Sequence, residues 1–121
     1  MEVGSFLSEA IGRFLDLTTD QMKLTASNLA NIDTPGYKTQ GMNFSQAFSQ
    51  AVQTIGGDGS VSPTETVSNV EGLVARADGN NVSMDRESLD LAKEQLQFRT
   101  GIEFLKHEYT RTMDAIHAES K

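Results

Sequence analysis

The chain has 121 residues, enough for one domain, and its 17 Asp and Glu outnumber its 10 Lys and Arg, giving a formal net charge of -7 and a pI near 4.7. So acidic a chain has no basic patch with which to displace counterions from nucleic acid or to meet an anionic membrane surface, and neither is expected as a partner. It lacks cysteine, which excludes disulfides, thiolate metal sites and a Cys nucleophile, and Leu, Ile, Val and Phe supply only 28 of 121 residues, so a large private core is not expected.

Residues 1–17, MEVGSFLSEAIGRFLDL, open with an acid and are broken by Ser, Glu, Gly, Arg and Asp, so they do not read as a cleavable signal. No run of about 18 apolar residues occurs, and direct membrane insertion is not expected. Ile11, Leu15, Thr18, Met22, Thr25, Leu29 and Ile32 alternate steps of four and three, a heptad seam that predicts a long amphipathic helix over 5–33. A second series one position back, Val3, Leu7, Ala10, Phe14, Leu17, Gln21, Leu24 and Asn28, gives this helix a second side that wants cover.

The helix must stop at the stretch NLANIDTPGYK, Asn28–Lys38. A residue before proline is pushed out of the α region, so Thr34 is expected to be extended and the helix to end near Ile32 or Asp33. Thr34, Pro35, Gly36 and Tyr37 then fit a type II turn, with proline fixing φ at its second position and glycine supplying a positive φ at its third. Backbone physics accounts for Pro35 and Gly36, and the seam accounts for Leu29 and Ile32. The polar row Asn28, Asn31 and Lys38 is left over, and is expected to contact neighbouring subunits.

The segment 34–80 is read as this turn, a short helix and a flexible, β-prone insert. Phe44, Ala47, Phe48, Ala51 and Val52 have the spacing of a short amphipathic helix. Residues 54–69 are rich in Gly, Ser and Thr and read as a flexible loop, with one short strand or extended segment expected around Leu73 to Ala75. Within the loop, GGDGS lacks the Lys-Ser/Thr of a P-loop and the acid series of a calcium loop, so it is read as linker.

Asp78 to Asn81 have turn chemistry, Ser83 or Asp85 can cap, and Asp85 with Glu87 suits the positive end of a helix predicted over 84–118. Its seam is Leu91, Gln95, Phe98, Ile102, Leu105, Tyr109, Thr112 and Ile116. The fold expected is mainly α, a single unit over 1–121, in which the two long helices form an antiparallel coiled-coil-like pair. Thr18, Thr25, Gln95 and Thr112 weaken both seams, so the pair alone should be marginal and its remaining apolar faces need other copies or other proteins.

Catalytic constellations are absent from the pattern. His107 and His117 stand ten residues apart, about 15 Å along a helix and about 80° around it, so they cannot share a metal. No G-x-S-x-G elbow accompanies the many serines. Neither a cofactor, a metal nor an enzymatic activity is expected.

LTASNLANIDTPGYK, Leu24–Lys38, resembles the N-terminal signature of bacterial flagellar rod, hook and hook-associated axial proteins, an Ala-Asn-Asn-hydrophobic-Ala-Asn run followed by Thr-Pro-Gly-Tyr-Lys. Asn28, Ala30, Asn31, Thr34, Pro35, Gly36, Tyr37 and Lys38 stand where that pattern has them, while Ser27 replaces its first Asn. Asp78–Ile116 resembles the C-terminal region of the proximal-rod branch, with Phe98-Arg99-Thr100 departing from the usual Tyr-Gln-Ala. On these blocks the chain is identified as a member of the bacterial flagellar basal-body rod protein family.

The resemblance implies a structural subunit that polymerises into the periplasm-spanning rod, transmits torque for motility, and leaves the cell through the flagellar type III apparatus without a cleaved signal. The implied partners are other copies of the chain, other rod proteins, a membrane-ring or rod-junction protein at the base, and the export apparatus. Helix-pairing and assembly residues would be Ile11, Leu15, Met22, Leu29, Ile32, Leu91, Phe98, Ile102, Leu105, Tyr109 and Ile116. Two other readings compete: a soluble helical adaptor or flagellar export chaperone holding a client on the same apolar faces, and a glycan hydrolase. The hydrolase would need paired carboxylates in a cleft, whereas Asp85 and Glu87 are explained by the helix start.

Overall fold

A computed structural model describes residues 2–57 and 67–119. The chain runs α1 (Glu2–Ala30), β1 (Gln40–Met42), α2 (Phe44–Gln53), β2 (Val67–Asn69) and α3 (Met84–Glu119). The loop expected over 54–69 lies outside the described residues at 58–66, as does the side chain of Val3.

α1 and α3 lie side by side and antiparallel: Asn28 meets Glu87, Thr25 meets Glu94, Thr18 meets Gln97, and Leu15 faces Gly101. With 29 and 36 residues they are about 43 and 54 Å long. From this register the last turns of α3 run past the start of α1. Tyr109 and Ile116, expected in the pairing seam, are exposed, Tyr109 beside the first turns of α1 and Ile116 at its start. Ile11, Leu15, Met22, Leu29 and Ile32 are half-buried, as are Leu91, Phe98, Ile102 and Leu105.

The pair is in tight contact at Gly101. A Cβ there would stand 2.7 Å from Leu15 Cδ2 and 3.1 Å from Phe14 Cδ1, so only glycine lets the helix backbone approach this far. α2 covers the other side of α1: the Phe14 ring is edge-on to Phe44 at 5.4 Å and to Phe48 at 5.8 Å, a favoured aromatic geometry. Asn43 caps α2 by accepting from Gln46 N at 3.2 Å.

Two boundaries differ from the sequence expectation. α1 ends at Ala30 instead of near Ile32, because the chain tightens into three-residue turns, Ile32 N donating to Leu29 O and Thr34 N to Asn31 O. A strand stands at Val67–Asn69, at the end of the stretch read as a loop, where Gln40, Gly41 and Met42 offer an edge that pairs antiparallel with Asn69, Ser68 and Val67; Leu73–Ala75 forms no strand. Leu73–Ala75 has no such partner, and Val74 points into solvent.

The core is thin and largely polar. Its buried apolar members among the described residues are Ala10, Leu17, Ala47 and Val82, whereas Thr18, Thr25, Asn28, Thr39, Asn80, Glu87, Glu94 and Glu108 are buried as well. The buried positions of α3, Glu87, Glu94, Gly101 and Glu108, recur every seven residues, so the line of closest approach is carboxylate and glycine, flanked by the apolar residues of the seam.

Substitutions at two helical glycines should have opposite signs. Gly101→Leu should destabilise the chain by about 1–3 kcal/mol through overpacking, whereas Gly12→Ala, with nothing within 4 Å of the added carbon, should stabilise it by about 0.5–1 kcal/mol. Urea denaturation of both variants reads the difference directly.

Candidate functional site

The end of α1 is built into a joint with the loop that precedes α3. Tyr37 N donates to Thr34 O at 3.2 Å, and Gly36 has φ +75° while Pro35 is barred from positive φ, which together make a type II turn. This turn packs back to back against a second glycine turn, since a Cβ on Gly79 (φ +87°) would lie 3.4 Å from Gly36 Cα. Gly36 N donates to Asp78 O at 2.9 Å and Asn81 N to Tyr37 O at 3.3 Å, so the two turns share backbone hydrogen bonds.

Asparagine side chains close the remaining backbone groups. Asn80 Nδ2 donates to the carbonyls of Asn31 and Thr34, both at 2.9 Å, and its Oδ1 accepts from Val82 N at 2.8 Å. Asn81 Oδ1 accepts from Thr39 N at 2.7 Å. Arg76 donates to Ile32 O and Lys38 Nζ to Gly79 O, each capturing a carbonyl left over where a helix or turn ends.

Asn28 is the centre of the joint. It is 1% exposed. Its Oδ1 accepts from Tyr37 Oη at 3.1 Å and Gln40 N at 3.0 Å, and its Nδ2 donates to Gln40 O at 2.8 Å and Glu87 Oε2 at 3.0 Å. Glu87 is held in turn by Arg86 Nη1 at 2.6 Å. Ser83 caps the helix that carries both, its Oγ accepting from Arg86 N at 3.3 Å.

Of the polar row expected to meet neighbouring subunits, Asn28 thus has all four hydrogen-bonding positions occupied within the chain. Asn31 bonds Ser27 O through Nδ2 and accepts from Thr34 Oγ1, and Lys38 is exposed but tied to Gly79. Thr34, Pro35 and Gly36 form the exposed rim. Sequence reasoning missed Asn80, Asn81, Glu87 and Glu94 as organising residues. The seven-residue spacing of Glu87, Glu94 and Glu108 was a readable signal, but acids are normally assigned to a solvated face.

Glu94 is the unusual charge. It is 4% exposed; its Oε1 lies 2.8 Å from Thr25 Oγ1, and its Oε2 has no hydrogen-bond donor. Burial pushes its carboxyl up from 4.5 to about 7, with the Thr25 hydrogen bond opposing the rise and the nearby Asp90 and Glu87 charges adding to it. Either protonation state can use Thr25. An ionised Glu94 accepts the hydroxyl proton, while a neutral one donates to Oγ1 and leaves that proton for Gln21 O at 3.2 Å. Among the described residues no three His, Asp or Glu converge as metal ligands, and no helix is long and apolar enough to cross a membrane.

A pH dependence follows. Between about 4.5 and 7 the folded chain holds a proton on Glu94 that the unfolded chain has released. The resulting stabilisation is fully present below pH 4.5 and is lost as the pH rises through about 7. Its size is on the order of 1–3 kcal/mol. Relative to Glu94→Gln, the wild-type chain should therefore lose stability between pH 5 and pH 8 in urea denaturation, and an unchanged difference would contradict the assignment.

Residues 16–38, the second half of α1 and the turn, match the family described as "Flagella basal body rod protein". The flagellar basal body rod protein FlgB of Bacillus subtilis is 33% identical over 93 residues, covering 69% of this chain and 71% of the relative. FlgB of Yersinia enterocolitica is 30% identical over 108 residues, covering 75% and 79%, and FlgB of Aeromonas hydrophila 29% over 117 residues, covering 87% and 88%. A relative of this identity, covered over more than two thirds of both chains, means that the chain belongs to the flagellar basal body rod protein family.

Proposed function

We propose that the chain serves as the FlgB-type subunit of the proximal rod, a structural and non-catalytic part of the drive shaft that transmits torque for motility. The observation that carries this reading is the distribution of apolar surface on α3. Leu89 and Leu96 fall within about 20° of each other on the side of α3 away from the buried Glu87–Glu94–Gly101 line, and Phe104 lies about 60–80° round from them, between that outer face and the seam. They are 57%, 65% and 61% exposed. Tyr109, Met113 and Ile116 extend the exposed apolar surface toward the C-terminal end of α3.

Burying a Leu or Phe side chain is worth about 1.5–3 kcal/mol, so an assembly that covers this surface gains what the chain alone forgoes. Contacts of this kind that do not close on themselves generate a filament, as a rod requires. The joint around Asn28 supports the same reading, because a torque-bearing subunit needs its two helices fixed in rotation and in translation. Other copies of the chain, other rod proteins and a membrane-ring or rod-junction protein at the base are the proposed partners, with export through the flagellar type III apparatus.

Leu96→Glu and Phe104→Glu test the reading. Both positions are exposed, so each variant should keep the helical circular dichroism and urea midpoint of the parent. In a strain lacking the wild-type gene, each should abolish swimming and leave basal bodies without hooks; normal swimming by both would contradict the proposal.

A further inference from the structure

We propose that Asp78–Gly79 is a site of spontaneous aspartate isomerisation, a covalent change that the closed joint blocks and that the chain undergoes when the joint is open. The chemistry belongs to the dipeptide itself. Gly79 N attacks Asp78 Cγ, the amide hydrogen leaves with the carboxyl OH as water, and a succinimide ring forms. Water then reopens the ring at either carbonyl. Opening at the former main-chain carbonyl routes the backbone through Cβ and Cγ and gives isoaspartate. One water is lost and one regained, so the mass is unchanged and no oxidant, reductant or cofactor takes part. Glycine in the following position favours the ring, because it has no Cβ to obstruct the attack.

The fold needs both residues of this reactive pair. Gly79 has φ +87° and packs so near Gly36 that an added Cβ would lie 3.4 Å from Gly36 Cα, so any other residue there would be strained. Asp78 Oδ1 accepts from Asn80 N at 3.0 Å, a local turn that presents the Asn80 side chain to Asn31 O and Thr34 O. The chain contains one other Asp-Gly pair, Asp58–Gly59.

In the closed joint the reacting atoms of Asp78 and Gly79 are held. The peptide group that must rotate is bonded at both ends: Gly36 N donates to Asp78 O at 2.9 Å, and Gly79 N donates to Arg76 O at 2.9 Å. The carboxylate is engaged by the amide of Asn80 instead of that of Gly79, and Arg76 Nε stands 3.9 Å from the same oxygen. The Asp78 side chain is 40% exposed, so the restraint is geometric and not an exclusion of water. Opening the joint frees the carbonyl, the nitrogen and the carboxylate together. Conversely, the extra backbone methylene of isoaspartate would push Gly79 off Gly36, so a chain modified before folding would not close the joint.

The test incubates the full-length chain at neutral pH in buffer and in urea, with isoaspartate measured by an isoaspartyl methyltransferase assay and located by peptide mapping. In urea Asp78–Gly79 should react as fast as Asp58–Gly59, whereas in buffer Asp78 should react roughly tenfold more slowly than it does in urea, or slower still, because the reaction waits for local opening. Equal rates at Asp78 in the two solvents, or no isoaspartate there in urea, would overturn the proposal. Asn80→Ala removes the side-chain bonds that tie the two turns and keeps the Asp-Gly pair. If it retains helical circular dichroism, it should isomerise at Asp78 in buffer at close to the urea rate, and continued protection would also overturn the proposal; if it fails to fold, the parent in the two solvents decides. Isomerised chain diluted out of urea should unfold at a lower urea midpoint than unmodified chain, and an equal midpoint would contradict the link to the joint. These readouts are chemical and do not involve motility, so they can fail while the rod-subunit reading stands, and the reverse.

Discussion

A primary carboxamide offers two donors and two acceptor lone pairs, and Asn28 uses all four inside the chain. Through them it joins four separate pieces: the last turn of α1, the Tyr37 side chain, the first residue of β1 and the first turn of α3. Because the helix rises about 1.5 Å per residue, a slip of α3 by one turn would carry Glu87 about 5.4 Å out of reach of Nδ2. The same bonds fix rotation, since Glu87 begins the line of buried residues that meets α1. The remaining ties of the joint, through Asn80, Asn81, Arg76 and Lys38, all presuppose this placement.

A polar seam makes sense in this setting. Apolar contacts tolerate sliding, whereas a buried polar pair at a helix interface sets register at a cost in stability. Thr25 with Glu94, Thr18 with Gln97 and Asn28 with Glu87 repeat that device along the pair. The cost is visible in Glu94, whose burial favours the protonated form near neutral pH. Meanwhile Leu89, Leu96 and Phe104 remain outside, where they stabilise nothing until another protein covers them. The chain thus devotes its polar groups to its own geometry and leaves much of its apolar surface for assembly.

Much of this architecture was legible in the sequence. Alternating steps of four and three marked both long helices, Phe44 to Val52 marked α2, and Pro35 with Gly36 marked the turn. Less legible was what the helices bury. Heptad reasoning assigns apolar residues to the seam, but Gly101 brings the backbones so close that small and hydrogen-bonded residues occupy the centre, and Leu91, Phe98 and Leu105 flank it. β2 was missed because three residues with one valine carry no periodic signal, and only the edge offered by Gln40–Met42 selects them. The partner of the Thr34–Tyr37 turn, 78–81, was recognised as a turn, yet no local pattern indicates that two turns so far apart in sequence meet.

The central claim is that Asn28 and Glu87 act as one unit that locks α1 to α3. A double-mutant cycle measures this directly, using Asn28→Ala, Glu87→Gln and the combined variant, with unfolding free energies from urea titration. A locked pair should show a coupling energy of about 1 kcal/mol or more, the single changes costing much more in sum than the double. Strict additivity of the two changes would contradict the account.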